Sequence, residues 1–203
     1  GKRDDDRDDG LLIVGDGAQR IYPGAFTLRQ AGVEVRGRTT VLRLNYRNTA
    51  EILAAATTVL GNGPVVDMDD EDSDAPNRFE EERAEASRSG LRPLLVDCGD
   101  DERENVFLVK QIKNVVASGV VGYGDIGVFV PINSMVKATV KRLNEGGVSA
   151  VPLKQYDGIP SPEVKVGTYA RSKGLEFKVV LLPRVKAGTV PHEQRANQSD
   201  EAY

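Results

Sequence analysis

The sequence predicts an α/β fold built on a mostly parallel sheet. Three features carry that expectation: short continuous apolar runs, helical periodicities between them, and glycines where the helical patterns stop. Apolar runs of this kind suit strands covered on both faces. Strand–helix alternation is what a parallel sheet with crossover connections requires.

Taken in order, LLIVGD (11–16) and TTVLRLN (39–45) read as strands, and NTAEILAAATTVL (48–60) as a helix. That helix would place Ile52, Leu53, Ala56 and Leu60 on one stripe, with Asn48 or Thr49 as cap and Gly61 just past its end. Residues 67–90 are acidic and read as a surface loop, followed by a strand at RPLLVDC (92–98). ERENVFLVKQIKNVVASG (102–119) repeats Val106, Val109, Ile112 and Val116 at helical spacing, and NSMVKATVKRLNEGG (133–147) does the same with Met135, Val136, Thr139, Val140 and Leu143. Strands are expected at DIGVFVP (125–131), GVSAVPL (147–153), VKVGTY (164–169) and KVVLLP (178–183). No internal repeat is present.

Composition narrows the class. Apolar residues at 39% and charged residues at 29% describe a globular chain rather than a disordered one. No apolar run approaches the roughly 18 residues of a membrane span, so no membrane partner is expected. Cys98 is alone, which makes a reducing, cytoplasmic setting the expectation and a Cys/His metal centre unsupported. The single histidine, His192, sits in a polar tail and reads as a surface residue. The formal charge of −4 is unevenly spread: residues 67–85 carry −8 and residues 1–9 carry −2, which leaves +6 on the rest. A mildly basic remainder is compatible with a polyanionic partner.

The stretch VGDGAQRIYPG (14–24) admits a dinucleotide-binding turn, G-x-G-x-x-G. Arg20 stands at the third glycine's place, however, and Pro23 would break the helix that must follow. A second reading fits better. An Asp and a Gln three residues apart after an apolar run can face the crevice where α/β sheets bind ligands, and a glutamine there can contact a γ-phosphate or orient a water. GDGAQRIY (15–22) resembles motif III of the UvrD/Rep-like superfamily 1 helicases, G-D-x-x-Q-x-I-Y. LRLNYRNTAEIL (42–53) resembles motif IV, where Arg47 offers a planar fork for phosphate and Tyr46 a ring for a base. VGTYARSKGLEFKVVLLP (166–183) resembles motif V, T-x-H-x-x-K-G-L-E-F-x-x-V, with Thr168, Lys173, Gly174, Leu175, Glu176, Phe177 and Val180 in register. Glycine lets a backbone approach phosphate closely, Glu176 can accept from a ribose hydroxyl, and Thr168 can donate to a DNA phosphate.

The resemblance implies two RecA-like domains that clamp ATP and move single-stranded DNA. It implies Gln19 and Arg47 as catalytic residues at the γ-phosphate, Tyr46, Gly174 and Glu176 on the nucleotide, and Tyr22 and Thr168 on DNA. Residues 1–38 would be the end of the first RecA-like domain and 39–203 most of the second. The chain contains no G-x-x-x-x-G-K-[ST] and no D-E-x-Q stretch before motif III, so Mg2+ ligands are expected outside it and the chain is read as a fragment without turnover of its own.

Three departures concern DNA. Gly24 replaces the usual motif III tryptophan, with Phe26 as a possible substitute, and Ala170 replaces the motif V histidine. Only about a dozen residues join Val151 to Val164, where larger relatives insert a domain. A non-unwinding ATPase that remodels a protein–nucleic acid complex and a degenerate RecA-like interaction module therefore stand as alternatives.

Overall fold

The computed structural model describes residues 12–14, 32–33, 44–60, 85–187 and 189–190. It divides into two compact units, with the division between Leu95 and Val96. The expected boundary at residues 38 and 39 lies outside the described residues.

In the first unit, β1 (Leu44–Thr49) pairs in parallel with β2 (Glu85–Arg88), Leu44 opposite Glu85 and Asn45 opposite Ala86. Helix α1 (Ala50–Leu60) follows β1 directly. Of the two expected caps, Thr49 is the one used: its Oγ1 accepts the Ile52 N–H at 3.4 Å. Glu51 in the first turn accepts the Gly90 N–H at 2.7 Å, which ties the helix start to the chain beyond β2. The expected apolar stripe is not buried: Ile52 is 44% exposed, and none of the α1 residues whose burial is described is buried.

Two corrections belong here. Residues 85–88, read as part of a loop, form β2. This four-residue strand is held by its ladder and by side chains, Ser87 Oγ donating to the Asn45 carbonyl and Arg88 to those of Tyr46 and Arg47. Such a strand leaves no hydrophobic signature. Residues 92–98, read as a strand, join no strand ladder among the described residues, and Leu94 and Leu95 are 87% and 92% exposed. An apolar run becomes a strand only where a ladder accepts it. Leu12–Val14, the described part of the first expected strand, is exposed and not in a strand, and the rest of that stretch lies outside the described residues.

The second unit bears out the expected parallel α/β architecture. Strands β3 (Ile126–Val130), β4 (Ala150–Pro152), β5 (Val164–Thr168) and β6 (Val179–Leu181) form one sheet in the order β4-β5-β3-β6, every pair parallel. All five residues of β3 and all five of β5 are buried. Ile126, Val128, Val164 and Val166 pack with Leu108 and Ile112 of α2 (Asp101–Ala117) and Leu143 of α3 (Asn133–Glu145). The alternate positions face the other way, where a Cβ on Gly127 would collide with Phe129 and Phe177, and one on Gly167 with Leu153.

Helix ends follow from local chemistry. Asp100 caps α2 through its Oδ1 and the Arg103 N–H at 2.8 Å, and three acids follow in the first turn, where the helix dipole favours them. Helix α3 closes in a Schellman arrangement: the Gly147 N–H reaches the Asn144 carbonyl and the Val148 N–H the Leu143 carbonyl. Gly147 has φ 75°, a conformation that glycine adopts without a Cβ penalty. Asn144 then exchanges two hydrogen bonds with the Ala150 backbone, at 3.0 and 3.1 Å, and so hands the helix over to β4. Replacing Asn144 by Ala orphans both groups of a partly buried strand end. The expected loss is about 1–3 kcal/mol, read as a lower urea midpoint with an unchanged slope; an unchanged midpoint contradicts this role.

Candidate functional site

Parallel strands present their carboxyl ends to one edge of the sheet, and ligands of open α/β folds bind outside that edge. In the second unit, β3 and β5 end side by side, Val130 opposite Thr168. From Val130 the chain enters α3, whose first residues Asn133 and Ser134 are exposed. From Thr168 it enters a single helical turn, α4 (Tyr169–Ser172).

The turn after β5 is shaped by backbone closure. Ser172 Oγ donates to the Tyr169 carbonyl at 2.7 Å and the Leu175 N–H to the Ser172 carbonyl at 3.0 Å. Gly174 takes φ 82°, and a Cβ placed on it would meet nothing within 4 Å. Glycine is thus required by the backbone conformation, and the space beside it is open to a ligand. Ala170, Arg171, Lys173, Leu175 and Glu176 are exposed, whereas Thr168 is only 6% exposed. Phe177 turns inward and meets Phe129 edge-on at 5.5 Å, which anchors the exit of the turn against the sheet.

A second arrangement braces this turn. Pro183, just beyond β6, accepts the Tyr169 hydroxyl at 3.5 Å. Half-burial of Tyr169 pushes its phenol pKa above the ordinary value. Arg184 follows with φ 67°, the one non-glycine residue in the left-handed region among those described, a conformation that costs about 1–3 kcal/mol. Its N–H donates to Glu104 Oε1 at 2.8 Å and its Nη1 to Glu104 Oε2, while Nη2 donates to Asn105 Oδ1 at 2.9 Å. Asp101 stands 3.7 Å from the Arg184 Nε and accepts Lys186 Nζ at 3.0 Å.

In the first unit, Asn45 Oδ1 accepts the N–H groups of both Arg47 and Asn48 at 2.9 Å, folding the chain at the end of β1. Arg88 Nη2 holds the carbonyls of Tyr46 and Arg47 at 2.6 and 2.7 Å. Tyr46 is 69% exposed on this fixed backbone.

The expected site residues thus fall into three groups. Tyr46 and Arg47 share the first unit; Thr168, Gly174 and Glu176 share one turn of the second. Gln19 and Tyr22 lie outside the described residues, as do Gly24, Phe26 and His192. Arg88, Arg184, Glu104 and Tyr169 shape these sites and were not singled out in the sequence. A lone arginine in a polar stretch carries no periodic signal, so only the fold reveals its partners. Among the described residues, no group of three or more His, Cys, Asp or Glu side chains could hold a metal ion.

The Lys186 hydrogen bond, then the charges of Arg184 and Lys186, hold the Asp101 pKa below its ordinary 3.8. A lowered carboxylate pKa contributes stability that is fully present above 3.8 and is lost as pH falls through the folded-state value. Melting temperature measured from pH 7 down to 2.5 is expected to drop below about pH 4, with a shallower drop in Asp101→Asn. Asp101 is largely exposed, so its share is at most about 1 kcal/mol. Identical acid limbs in the two proteins contradict the assignment.

No protein-family model matches this chain, and no solved structure matches it at a significant level. The mitochondrial ATP-dependent DNA helicase HMI1 of Saccharomyces cerevisiae is 26% identical over 153 residues, which is 71% of this chain and 21% of that protein. The chain therefore spans about a fifth of that relative's length and is similar, at a coarse level, to part of an ATP-dependent DNA helicase.

Proposed function

We propose that this chain is the motif III to V portion of a UvrD/Rep-like, ATP-dependent DNA helicase or translocase. The observation that carries the reading is the motif V segment. Its K-G-L-E-F residues, Lys173 to Phe177, come one helical turn after a buried parallel strand and leave the carboxyl edge of the sheet through the left-handed Gly174. The order of the three motif-like stretches and the similarity to a DNA helicase support the same reading.

In each unit taken by itself, features suit the role that the resemblance implies at an ATP site. Tyr46 is exposed on a backbone held by Arg88, where a ring can stack on adenine. The open space beside Gly174 suits the approach of a phosphate to the main chain. Arg47 and Gln19 would act at the γ-phosphate, and Glu176 would accept from the ribose. Tyr22 and Thr168 would face single-stranded DNA, with the burial of Thr168 limiting what it presents outward. Bound ATP with Mg2+ would supply the reacting phosphate and its charge neutralisation. In this reading the lysine and carboxylates that hold that metal would lie outside these 203 residues, and the boundary at residues 38 and 39 would separate two RecA-like domains.

One observation favours translocation or remodelling over unwinding. Residues 153–163, between β4 and β5, are short and pinned. Lys165, 2% exposed, donates to the carbonyls of Ser161 and Glu163 at 2.7 Å, and a Cβ on Gly124 would lie 2.3 Å from the Ser161 carbonyl oxygen. By the resemblance, larger relatives place a whole domain at this connection. A forked duplex left intact by an otherwise active parent enzyme would select the remodelling reading.

The 203-residue chain is expected to bind a fluorescent adenine nucleotide weakly and to hydrolyse no ATP with Mg2+. Tyr46→Ala is expected to weaken that binding about fivefold or more, the worth of one stacked base. Mg2+-dependent turnover by the isolated chain overturns the proposal.

A further inference from the structure

We infer that Arg184 is a positioning residue for the motif V turn, acting through Pro183 and Tyr169. The inference rests on the reading of that turn as the element facing nucleotide and DNA.

Arg184 occupies an unfavourable backbone conformation and yet is bonded through both its backbone N–H and its guanidinium. Its left-handed φ of 67° turns the chain so that its own N–H and its guanidinium reach the same carboxylate, Glu104. Nη2 donates to Asn105 Oδ1 at 2.9 Å and Nη1 also to the Asp101 carbonyl at 3.4 Å, and the side chain is only 15% exposed. A planar fork against a carboxylate fixes direction as well as distance. A lysine could not make this set of contacts.

The clasp joins two elements far apart in sequence. Glu104 sits in the first turn of α2, which packs on β3 and β5, so it is a rigid anchor. Holding Arg184 there fixes the preceding carbonyl, that of Pro183, which is buried and accepts the Tyr169 hydroxyl. Tyr169 opens α4, its own carbonyl accepts from Ser172, and Ser172 in turn accepts the Leu175 N–H. The chain of contacts therefore runs from α2 through Arg184, Pro183 and Tyr169 to the backbone on either side of Lys173 and Gly174. Backbone strain that surrounding contacts over-determine is a mark of functional positioning.

Arg184→Gly tests this cleanly. Glycine adopts φ 67° freely and keeps the N–H to Glu104, so only the guanidinium is lost. Tyr169→Phe cuts the relay at its other end and leaves the clasp intact. Hydrogen exchange of the 203-residue chain reads the Leu175 amide, and fluorescence anisotropy reads binding of a labelled oligothymidylate. Both variants are expected to speed Leu175 exchange about tenfold, with β3 and β5 amides unchanged, and to weaken oligonucleotide binding in parallel. Faster exchange confined to residues 182–190, with Leu175 unaffected in either variant, overturns the inference. If Arg184→Gly loosens the whole core, Tyr169→Phe decides alone. If the unsubstituted chain binds no oligonucleotide, the functional reading falls, while the Leu175 comparison still decides the relay.

Discussion

The ladder between β3 and β5 is the constraint from which the rest of the second unit follows. Their ten residues are all buried, apolar but for Thr168 on one face and tightly approached by Phe177 and Leu153 on the other. A parallel pair buried on both faces cannot slip register without moving every side chain to the wrong side. Fixing Val130 opposite Thr168 therefore fixes where two connecting segments leave the sheet. Even the one charge inside the ladder obeys this constraint. The Lys165 ammonium is satisfied by two carbonyls and lies 5.4 Å from the Tyr156 ring, so burial there leaves no orphaned donor set.

From that ladder the candidate site is assembled by short-range chemistry. The motif V turn departs from a rigid strand end, closes on itself through Ser172, and is held from behind by the segment after β6. In the first unit the same economy applies: Asn45 folds the strand end, and one arginine, Arg88, secures the carbonyls beneath Tyr46 and Arg47. In each case a charged or aromatic side chain projects from backbone that other residues hold still, which is what ordered phosphate and base contacts require.

Legibility in the sequence tracked burial. Strands β3 to β6 and helices α2 and α3 were readable because their apolar periodicities largely coincide with the faces that pack, although in α2 Val106 of the expected stripe is 63% exposed and Leu108 is buried in its stead. The glycine ends of α2 and α3 were readable for the same reason that the structure uses them, at φ values of 75°. Strand β2 was not, because four residues, three of them polar, are chosen here by hydrogen bonding and not by burial. Residues 92–98 misled in the opposite sense: Leu94, Leu95 and Val96 have strand composition but no ladder. The motif residues were found by resemblance, whereas Arg88, Glu104 and Arg184 act through partners about forty to eighty positions away, a distance no local pattern spans.

In the proposed reading, Arg47 and the turn after β5 serve one nucleic-acid-driven ATPase. ATP hydrolysis by the full-length parent enzyme, with and without single-stranded DNA and beside its Arg47→Ala variant, tests it most directly. Strong stimulation by DNA that the variant loses is expected, since an arginine at the γ-phosphate stabilises charge that develops in the transition state. Hydrolysis indifferent to DNA, or a variant as active as the unsubstituted enzyme, would contradict it.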